Sequence, residues 1–476
     1  MDARYLIIIF SALLLFFKSH AQTLYRGADL SYVNEMQDCG VVYYDNGQAR
    51  DPYELFAEKG CNLVRLRLWH TPAWYDTLNT GNRYSDLADV RRSIARAHAA
   101  GMEVLLDFHL SDTWADPSRQ IAPQAWWSVL DDTPTLSDSV YQYVYGVLAG
   151  LAEDDLWPAL IQLGNETNRG ILLSPEQNAS GWVMDWSRNA TLFNRGLAAI
   201  RDAATTFNKS VKTGIHLAGP ANVEWFVEQF TDWGVTDFDF FGISYYWAWH
   251  QPTTIEETGG VIERLRAQYP AKEVIILETG YIWTNDWNDA AANIITDVHP
   301  LYTPASPQAQ YNWLVDLTEH ATSKGASGVI YWEPAWVSSP CFTPWGQGSH
   351  QEHATFFDFN NNVLQEGGME WFDADLTVSV TSPGNVAPLD ATNFRVLYSG
   401  SGDTATLLFE TPLSPGQWEL TLLHLDGKHL QQWNHLTTGM QETTLQLSAL
   451  STGIYFLSLQ RDGVLVGKQP LVVASR

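Results

Sequence analysis

The chain runs to 476 residues and carries 54 acidic side chains against 27 basic ones, a formal net charge of −27. That imbalance excludes a polyphosphate partner such as nucleic acid, whose binding relies on clustered Lys and Arg, and leaves an uncharged ligand compatible. The length exceeds one ordinary core but suits a barrel of about 250–350 residues plus something smaller, and 21 Trp, 20 Tyr and 20 Phe are rings enough for some to face a ligand.

At the N-terminus Arg4 precedes an apolar run over 6–17 broken by one serine, and Ser19-His20-Ala21 supplies small residues where a signal peptidase cuts. The run is too short to span a bilayer. Residues 1–21 therefore read as a signal peptide, export is expected, and no later segment is apolar enough for a membrane anchor. The cysteines are Cys39, Cys61 and Cys341. Cys39 with Cys61 is one pair an exported chain could form, with at least one thiol left over. No CxxC or HExxH spacing occurs, so no catalytic zinc is expected.

From 24 to 332, strand-like and helix-like segments alternate about eight times. Strands are expected at 24–29, 62–69, 102–109, 160–166, 213–218, 238–245, 273–278 and 327–332. Their near-continuous apolar runs fit strands covered on both faces, as in parallel sheets with helical outer layers. The helices between them carry their own punctuation. Asp51-Pro52 opens one that Gly60 closes, Ser85 and Gly101 bracket the next, and Ser306-Pro307 and Gly325 bracket a late one. A doubly wound open sheet would place a glycine-rich phosphate loop after its first strand, and Arg26-Gly27-Ala28-Asp29-Leu30-Ser31 lacks that spacing. The pattern closes most economically as an α/β fold of the (β/α)8 TIM-barrel type.

In such a barrel the carboxyl ends of the strands form the site. The fourth ends in Gly164-Asn165-Glu166, and the seventh runs from Val274 through Leu277 into Glu278. Two carboxyl groups at the exits of two core strands are what glycosidic bond cleavage needs. The other ends are rich in polar and aromatic groups, including Arg67 and Trp69, His109 with Asp112 and Trp114, Tyr245, and Trp332 with Trp336. Beyond about Phe372 the character changes. Residues 22–373 read as the barrel domain, 374–395 as a linker or the start of a β module, and 396–476 as a small antiparallel β domain with strands near 404–409, 418–424, 442–447, 453–460 and 463–473.

Seven of these pieces together resemble glycoside hydrolase family 53, the arabinogalactan endo-β-1,4-galactanases. They are Arg26 to Ser31, Val64-Arg65-Leu66-Arg67-Leu68-Trp69, Leu106-Asp107-Phe108-His109-Leu110-Ser111-Asp112-Thr113-Trp114-Ala115-Asp116-Pro117, Leu163-Gly164-Asn165-Glu166, Gly242-Ile243-Ser244-Tyr245-Tyr246, Glu278-Thr279-Gly280-Tyr281 and Tyr331-Trp332-Glu333-Pro334-Ala335-Trp336. The long third-strand motif is the most specific. The resemblance implies Glu166 as acid/base, Glu278 as nucleophile, β-1,4-galactan of pectin as substrate, and no cofactor in the chemistry. The loops at 282–294 and 340–353 depart from the family pattern. Family members tie these regions by calcium or a disulfide, and Asp286, Asn288, Asp289 and Asn293 are suited to hold a structural calcium in the loops after strands seven and eight. The last ~75 residues, with Leu425-Asp426-Gly427, Leu450-Ser451-Thr452-Gly453-Ile454-Tyr455-Phe456 and Gly467-Lys468, resemble the sorting domain of type IX secretion substrates. That implies delivery by the secretion machinery to the cell surface or medium.

Chemistry assigns the remaining expectations. Arg67 is expected to favour the ionised form of Glu278, and Tyr245 to donate to the same carboxylate unless it is a buried structural tyrosine. Asn165 suits the sugar 2-hydroxyl, and His109 suits orienting Asn165 or a hydroxyl. Asp112 is grouped with the substrate-binding residues, Trp332 is the expected platform under the cleaved sugar, and Trp114 and Trp336 are expected at neighbouring subsites. The chain is expected to act as a monomer. Another retaining barrel endo-glycanase, acting on mannan or glucan, is the alternative within the same chemistry. A non-catalytic surface glycan-binding protein is the alternative outside it, and two intact glutamates weigh against it.

Overall fold

A computed structural model describes residues 24–180, 183–376, 394–398, 404–409, 412–424, 428–433, 436–447, 450–451, 453–461 and 464–473. The signal peptide read at 1–21 and most of the join at 374–395 lie outside the described residues.

Eight parallel strands close into a barrel in sequence order, the last pairing with the first. They are β1 (Tyr25–Asp29), β2 (Leu63–Leu68), β3 (Glu103–Phe108), β4 (Leu160–Leu163), β5 (Lys212–Ala218), β6 (Phe240–Ser244), β7 (Glu273–Thr279) and β8 (Gly328–Tyr331). Helices α1 (Pro52–Glu58), α2 (Leu87–Ala99), α3 (Thr133–Glu153), α4 (Trp186–Thr206), α5 (Val223–Asp232), α6 (Ile255–Gln268) and α7 (Pro307–Ser323) follow β1 to β7 in turn. The expected caps form. Asp51 accepts from the amides of Tyr53 and Glu54 ahead of Pro52, and Ser306 accepts from Ala309 ahead of α7. Where an eighth helix would close the ring there is a 3-10 turn, Gly368–Asp373. Its Trp371 indole donates to Thr318 of α7 at 2.9 Å, and the Phe372 carbonyl accepts from Arg26 at 2.7 Å.

The barrel interior changes chemistry along its axis. Tyr25, Leu63, Leu105, Leu160, Phe240, Ile275 and Ile330 form an apolar plug at the amino-terminal side. Gly214 leaves the Phe240 ring its place there, since a Cβ would meet that ring at 2.1 Å. Strand side chains point to one face with a period of two, so the next inward positions are Arg65 above Leu63, Asp107 above Leu105 and Gln162 above Leu160. All three are buried. The polar layer is thus set by sequence two residues after the plug.

The C-terminal module holds β9 (Phe394–Tyr398), β10 (Thr404–Phe409), β11 (Trp418–Leu423), β12 (His429–Trp433), β13 (Glu442–Gln446), β14 (Gly453–Arg461) and β15 (Val464–Val473). They form a three-stranded sheet, β9-β10-β13, and a four-stranded sheet, β12-β11-β14-β15, both antiparallel. β9 and β12 were not among the expected strands; β12 has Gln431 and Gln432 where an apolar alternation would signal a strand. The module rests on the barrel through Phe456, whose ring meets Trp225 of α5 edge-on at 5.0 Å, and through Asn222, which donates to the His424 carbonyl at 3.2 Å.

The disulfide joins Cys39 to Cys341, with Cα atoms 5.9 Å apart and a sequence separation of 302. This corrects the pairing of Cys39 with Cys61. Cys61 is a buried free thiol against the Leu63 carbonyl at the start of β2, and burial pushes its pKa up to about 12. Among the described residues no helix is long and apolar enough to cross a membrane. Closing so long a loop constrains the unfolded chain, so the bridge is worth about 2–4 kcal/mol. Dithiothreitol should lower the calorimetric melting midpoint by roughly 5–10 °C, while Cys61 stays unreactive to a thiol reagent until the chain unfolds.

Candidate functional site

Glu278 stands at the carboxyl end of β7 and Glu166 just beyond β4, and both line one cavity of about 530 Å3 at the carboxyl ends of the strands. Asn165, Trp114, Trp332 and Trp336 line the same cavity. β4 ends at Leu163, three residues before the expected boundary, because the backbone turns left-handed at Gly164 (φ 80°) and again at Glu166 (φ 45°). A Cβ on Gly164 would meet Thr167 at 2.6 Å. Gln120, from the loop after β3, donates to the carbonyls of Asn165 and Glu166 at 2.8 and 3.1 Å and holds the turn.

Arg65 organises the floor. Its Nη1 lies 2.9 Å from both Asp29 and Glu278, its Nη2 lies 2.9 Å from Asp107 and 2.7 Å from the Asn165 side-chain oxygen Oδ1, and its Nε donates to Gln162 at 3.0 Å. Burial works against the guanidinium charge, but Asp107, Glu278 and Asp29 outweigh it and the pKa rises. The second oxygen of Glu278 accepts from the Tyr246 hydroxyl at 3.1 Å. Burial raises the pKa of both glutamates. For Glu166 the charge of Glu278 adds to the rise, whereas Arg65 pulls Glu278 back down. Glu278 is therefore the group that ionises first, and Glu166 the one that keeps its proton.

Three expected partners are replaced by neighbours. Arg67 points inward like Arg65, but two residues further along β2 it sits above the Glu278 layer. It pairs with Glu333 at 3.0 Å, with the rings of Tyr32, Trp69 and Trp114 within 4.1–4.7 Å of its guanidinium. Tyr245 faces outward, donates to the Thr253 carbonyl at 2.7 Å and stacks on Trp313, because adjacent strand residues take opposite faces. His109 lies 2.8 Å from Asp107 and packs on Trp69 and Trp114, so it does not reach Asn165. His216 of β5 does, with Nδ1 2.9 Å from the Asn165 side-chain oxygen Oδ1. Asp112 does not line the cavity. Its two oxygens accept from the amides of Thr71 and Gln124 at 2.9 and 2.8 Å and tie two loops together. Trp336 stacks on Tyr32 at 3.9 Å and Trp332 meets Trp114 edge-on at 5.8 Å, which fixes the cavity's aromatic wall. Arg65, Gln162, His216, Ser244 and Tyr246 were missed. Arg65, Ser244 and Tyr246 stood in the quoted motifs with no sign of the face or depth they take, and Gln162 and His216 stood in expected strands with nothing to mark them.

Two of the four residues considered for calcium, Asp289 and Asn288, are engaged in bonds within the loops. Asp289 spends its oxygens on the amides of Ala291 and Ser349, Asn288 donates to Ser338, and Glu352 takes the amides of Asn288 and Asp289. Carboxylate bonds to backbone amides hold these loops. Among the described residues no group of three or more His, Cys, Asp or Glu could hold a metal ion.

Residues 25–367 match the profile of glycosyl hydrolase family 53. The chain is 45% identical over 359 residues to the arabinogalactan endo-beta-1,4-galactanase of Cellvibrio japonicus, covering 75% of this chain and 92% of that one. It is 32% identical over 322 residues to the endo-beta-1,4-galactanase of Bacillus subtilis, covering 66% and 70%. The Ignisphaera aggregans GH53 catalytic domain superposes with a TM-score of 0.64 at 32% identity, covering 75% of this chain and 97% of its own. A fungal beta-1,4-galactanase structure superposes with a TM-score of 0.60 at 26% identity, covering 74% and 99%.

A second acidic group lies behind Arg67. Glu35 accepts from the Tyr75 hydroxyl at 2.7 Å and burial pushes it up to about 8, while burial pushes Asp89 up to about 6. The folded state holds these protons more tightly than the unfolded one, so their contribution to stability is complete below the ordinary carboxylate range. It is lost as pH rises through about 6 and then about 8. The melting midpoint should accordingly be highest near pH ~5 and fall toward pH ~8; calorimetry showing a midpoint that rises over that interval would contradict the assignment.

Proposed function

The chain belongs to glycosyl hydrolase family 53, and from that premise we propose that it is an endo-β-1,4-galactanase that hydrolyses the β-1,4-galactan side chains of pectin with retention, through a covalent glycosyl-enzyme. The observation that carries the reading is the unequal environment of two glutamates in one cavity. Glu278 is held by the Arg65 cation and the Tyr246 hydroxyl, and Glu166 is left to bear the repulsion.

Glu278 attacks the anomeric carbon as a carboxylate, while Glu166 gives its proton to the departing glycosidic oxygen. The electron pair of the broken bond stays on that oxygen, and the sugar remains esterified to Glu278. Glu166, now ionised, takes a proton from water, and the resulting hydroxide equivalent displaces Glu278 from the same carbon with a second inversion. Asn165, oriented by Arg65 and by the Ala115 carbonyl at 2.7 Å, offers its amide to the sugar 2-hydroxyl. Trp332 forms the platform for the cleaved sugar, with Trp114 and Trp336 beside it. No cofactor takes part. The leader at 1–21 directs export, the C-terminal module serves type IX secretion to the surface or medium, and the enzyme acts as a monomer.

The purified protein should release reducing ends from potato galactan and none from mannan or cellulose; equal release from mannan would overturn the substrate assignment. Glu278→Gln should lower turnover by roughly 10³–10⁶-fold without loss of fold, and Glu166→Ala should lose far less on aryl galactosides with good leaving groups than on galactan. The Tyr246 bond favours ionised Glu278. Tyr246→Phe should therefore move the acid limb of the kcat/KM profile to higher pH, and Tyr245→Phe should leave it in place.

A further inference from the structure

We propose that the C-terminal module is part of the substrate cleft: it brings His424 to the wall of the catalytic cavity, where the imidazole binds a sugar in the leaving half of the galactan chain. This deepens the reading given under Proposed function and rests on it.

The module is seated on the barrel at α5. Phe456 of β14 is buried, with its ring centre 5.0 Å from that of Trp225 and 6.0 Å from that of Phe226, and Leu423 at the end of β11 is buried in the same apolar core. One residue on, the His424 carbonyl accepts from Asn222 at 3.2 Å and the His424 amide donates to the Lys428 carbonyl at 2.7 Å. The backbone is therefore pinned to the barrel where the chain turns from β11 toward β12. The His424 side chain is half-buried, stands edge-on to Tyr455 with ring centres 6.3 Å apart, and lines the cavity that holds Glu166 and Glu278. Among the described residues, the rest of that lining falls between Trp114 and His350, so His424 is the module's contribution to it. Its place on the wall follows from the topology. In a closed ring of eight, β4 stands opposite β8, and Asn222 lies between β5 and α5, so His424 enters on the Glu166 side while Trp332 and Trp336 follow β8 on the other. A proton donor has to face the departing oxygen. With the cleaved sugar on Trp332, the leaving half of the chain runs past Glu166 toward His424. An imidazole can donate from one ring nitrogen and accept at the other, which matches the mixed donors and acceptors of sugar hydroxyls. The module thus acts at the site as well as in the secretion proposed for it.

The test compares galactan with β-galactobiosyl fluoride, whose fluoride departs without filling a sugar position on the Glu166 side. In the full chain, His424→Ala should lower the ratio of kcat/KM on galactan to kcat/KM on the fluoride by roughly 3–10-fold, the loss of one hydrogen bond. The ratio does not depend on what fraction of the variant is folded. Trp225→Ala, which loosens the seat from the barrel side and leaves the module's own residues intact, should lower the same ratio. A ratio that stays in place or rises in either variant would overturn the proposal. Unaltered protein that cleaves neither substrate would overturn the galactanase reading and this proposal with it, so the two failures are told apart.

Discussion

A guanidinium sealed inside a barrel dictates most of what surrounds it. Arg65 is 1% exposed, and a lone buried cation would cost several kcal/mol in lost hydration. It donates four hydrogen bonds, to β1 (Asp29), β3 (Asp107), β4 (Gln162) and the turn after β4 (Asn165), and forms an ion pair with β7 (Glu278). Five segments of the ring are therefore registered to one side chain. The charge count has a chemical consequence. One cation faces Asp29, Asp107 and Glu278, so the floor is already anionic before Glu166 is considered, and a further ionised carboxyl has nothing left to pair with. Burial first, and then the charge of Glu278, keep the proton on Glu166.

Above that floor the rim is assembled by polar ties. Gln120 joins the loop after β3 to the turn that carries Glu166, Asp112 joins the loops after β2 and β3, and Glu352 gathers the loops after β7 and β8 through backbone amides and Ser338. The Cys39–Cys341 bridge anchors the last of these loops to the segment after β1. Arg67 works on this level, locked between Glu333 and three rings. It orients the aromatic wall of the cavity, while Arg65 pairs with Glu278.

The division between what was legible and what was not follows from the same geometry. Apolar runs covered on both faces and the glycine stops between them revealed the barrel, and a strand exit marked by a carboxyl pointed to Glu166 and Glu278. The choice of Arg67 over Arg65 failed on depth along the barrel axis, since both face inward. The choice of Tyr245 over Tyr246 failed on face, since adjacent residues alternate. His216 sits inside an apolar strand, and a single buried histidine there carries no local sign that it meets an asparagine 51 positions earlier. Cys39 and Cys341 are brought together only by closure of the ring. Such facts belong to register between strands, which no single segment encodes.

Backbone strain at the mouth is held in place by the closed ring. Leu110, Glu166 and Glu333 all adopt left-handed φ values of 45–53° at or just beyond strand exits, a conformation that costs a side-chain-bearing residue about 1 kcal/mol or more. Glycine would relieve it, but Glu333 pairs with Arg67, and Glu166 presents a carboxyl to the cavity. The turn at Glu166 is held from several directions. The Gly164 amide donates to the Phe108 carbonyl at 2.9 Å, the Thr167 hydroxyl donates to the His216 carbonyl at 3.0 Å, and Gln120 binds the two carbonyls between. Those bonds come from β3, β5 and the loop after β3, so the strain is borne by the closed ring. An open sheet, lacking a wall on every side, would let the same turn relax and swing the carboxyl away from Glu278.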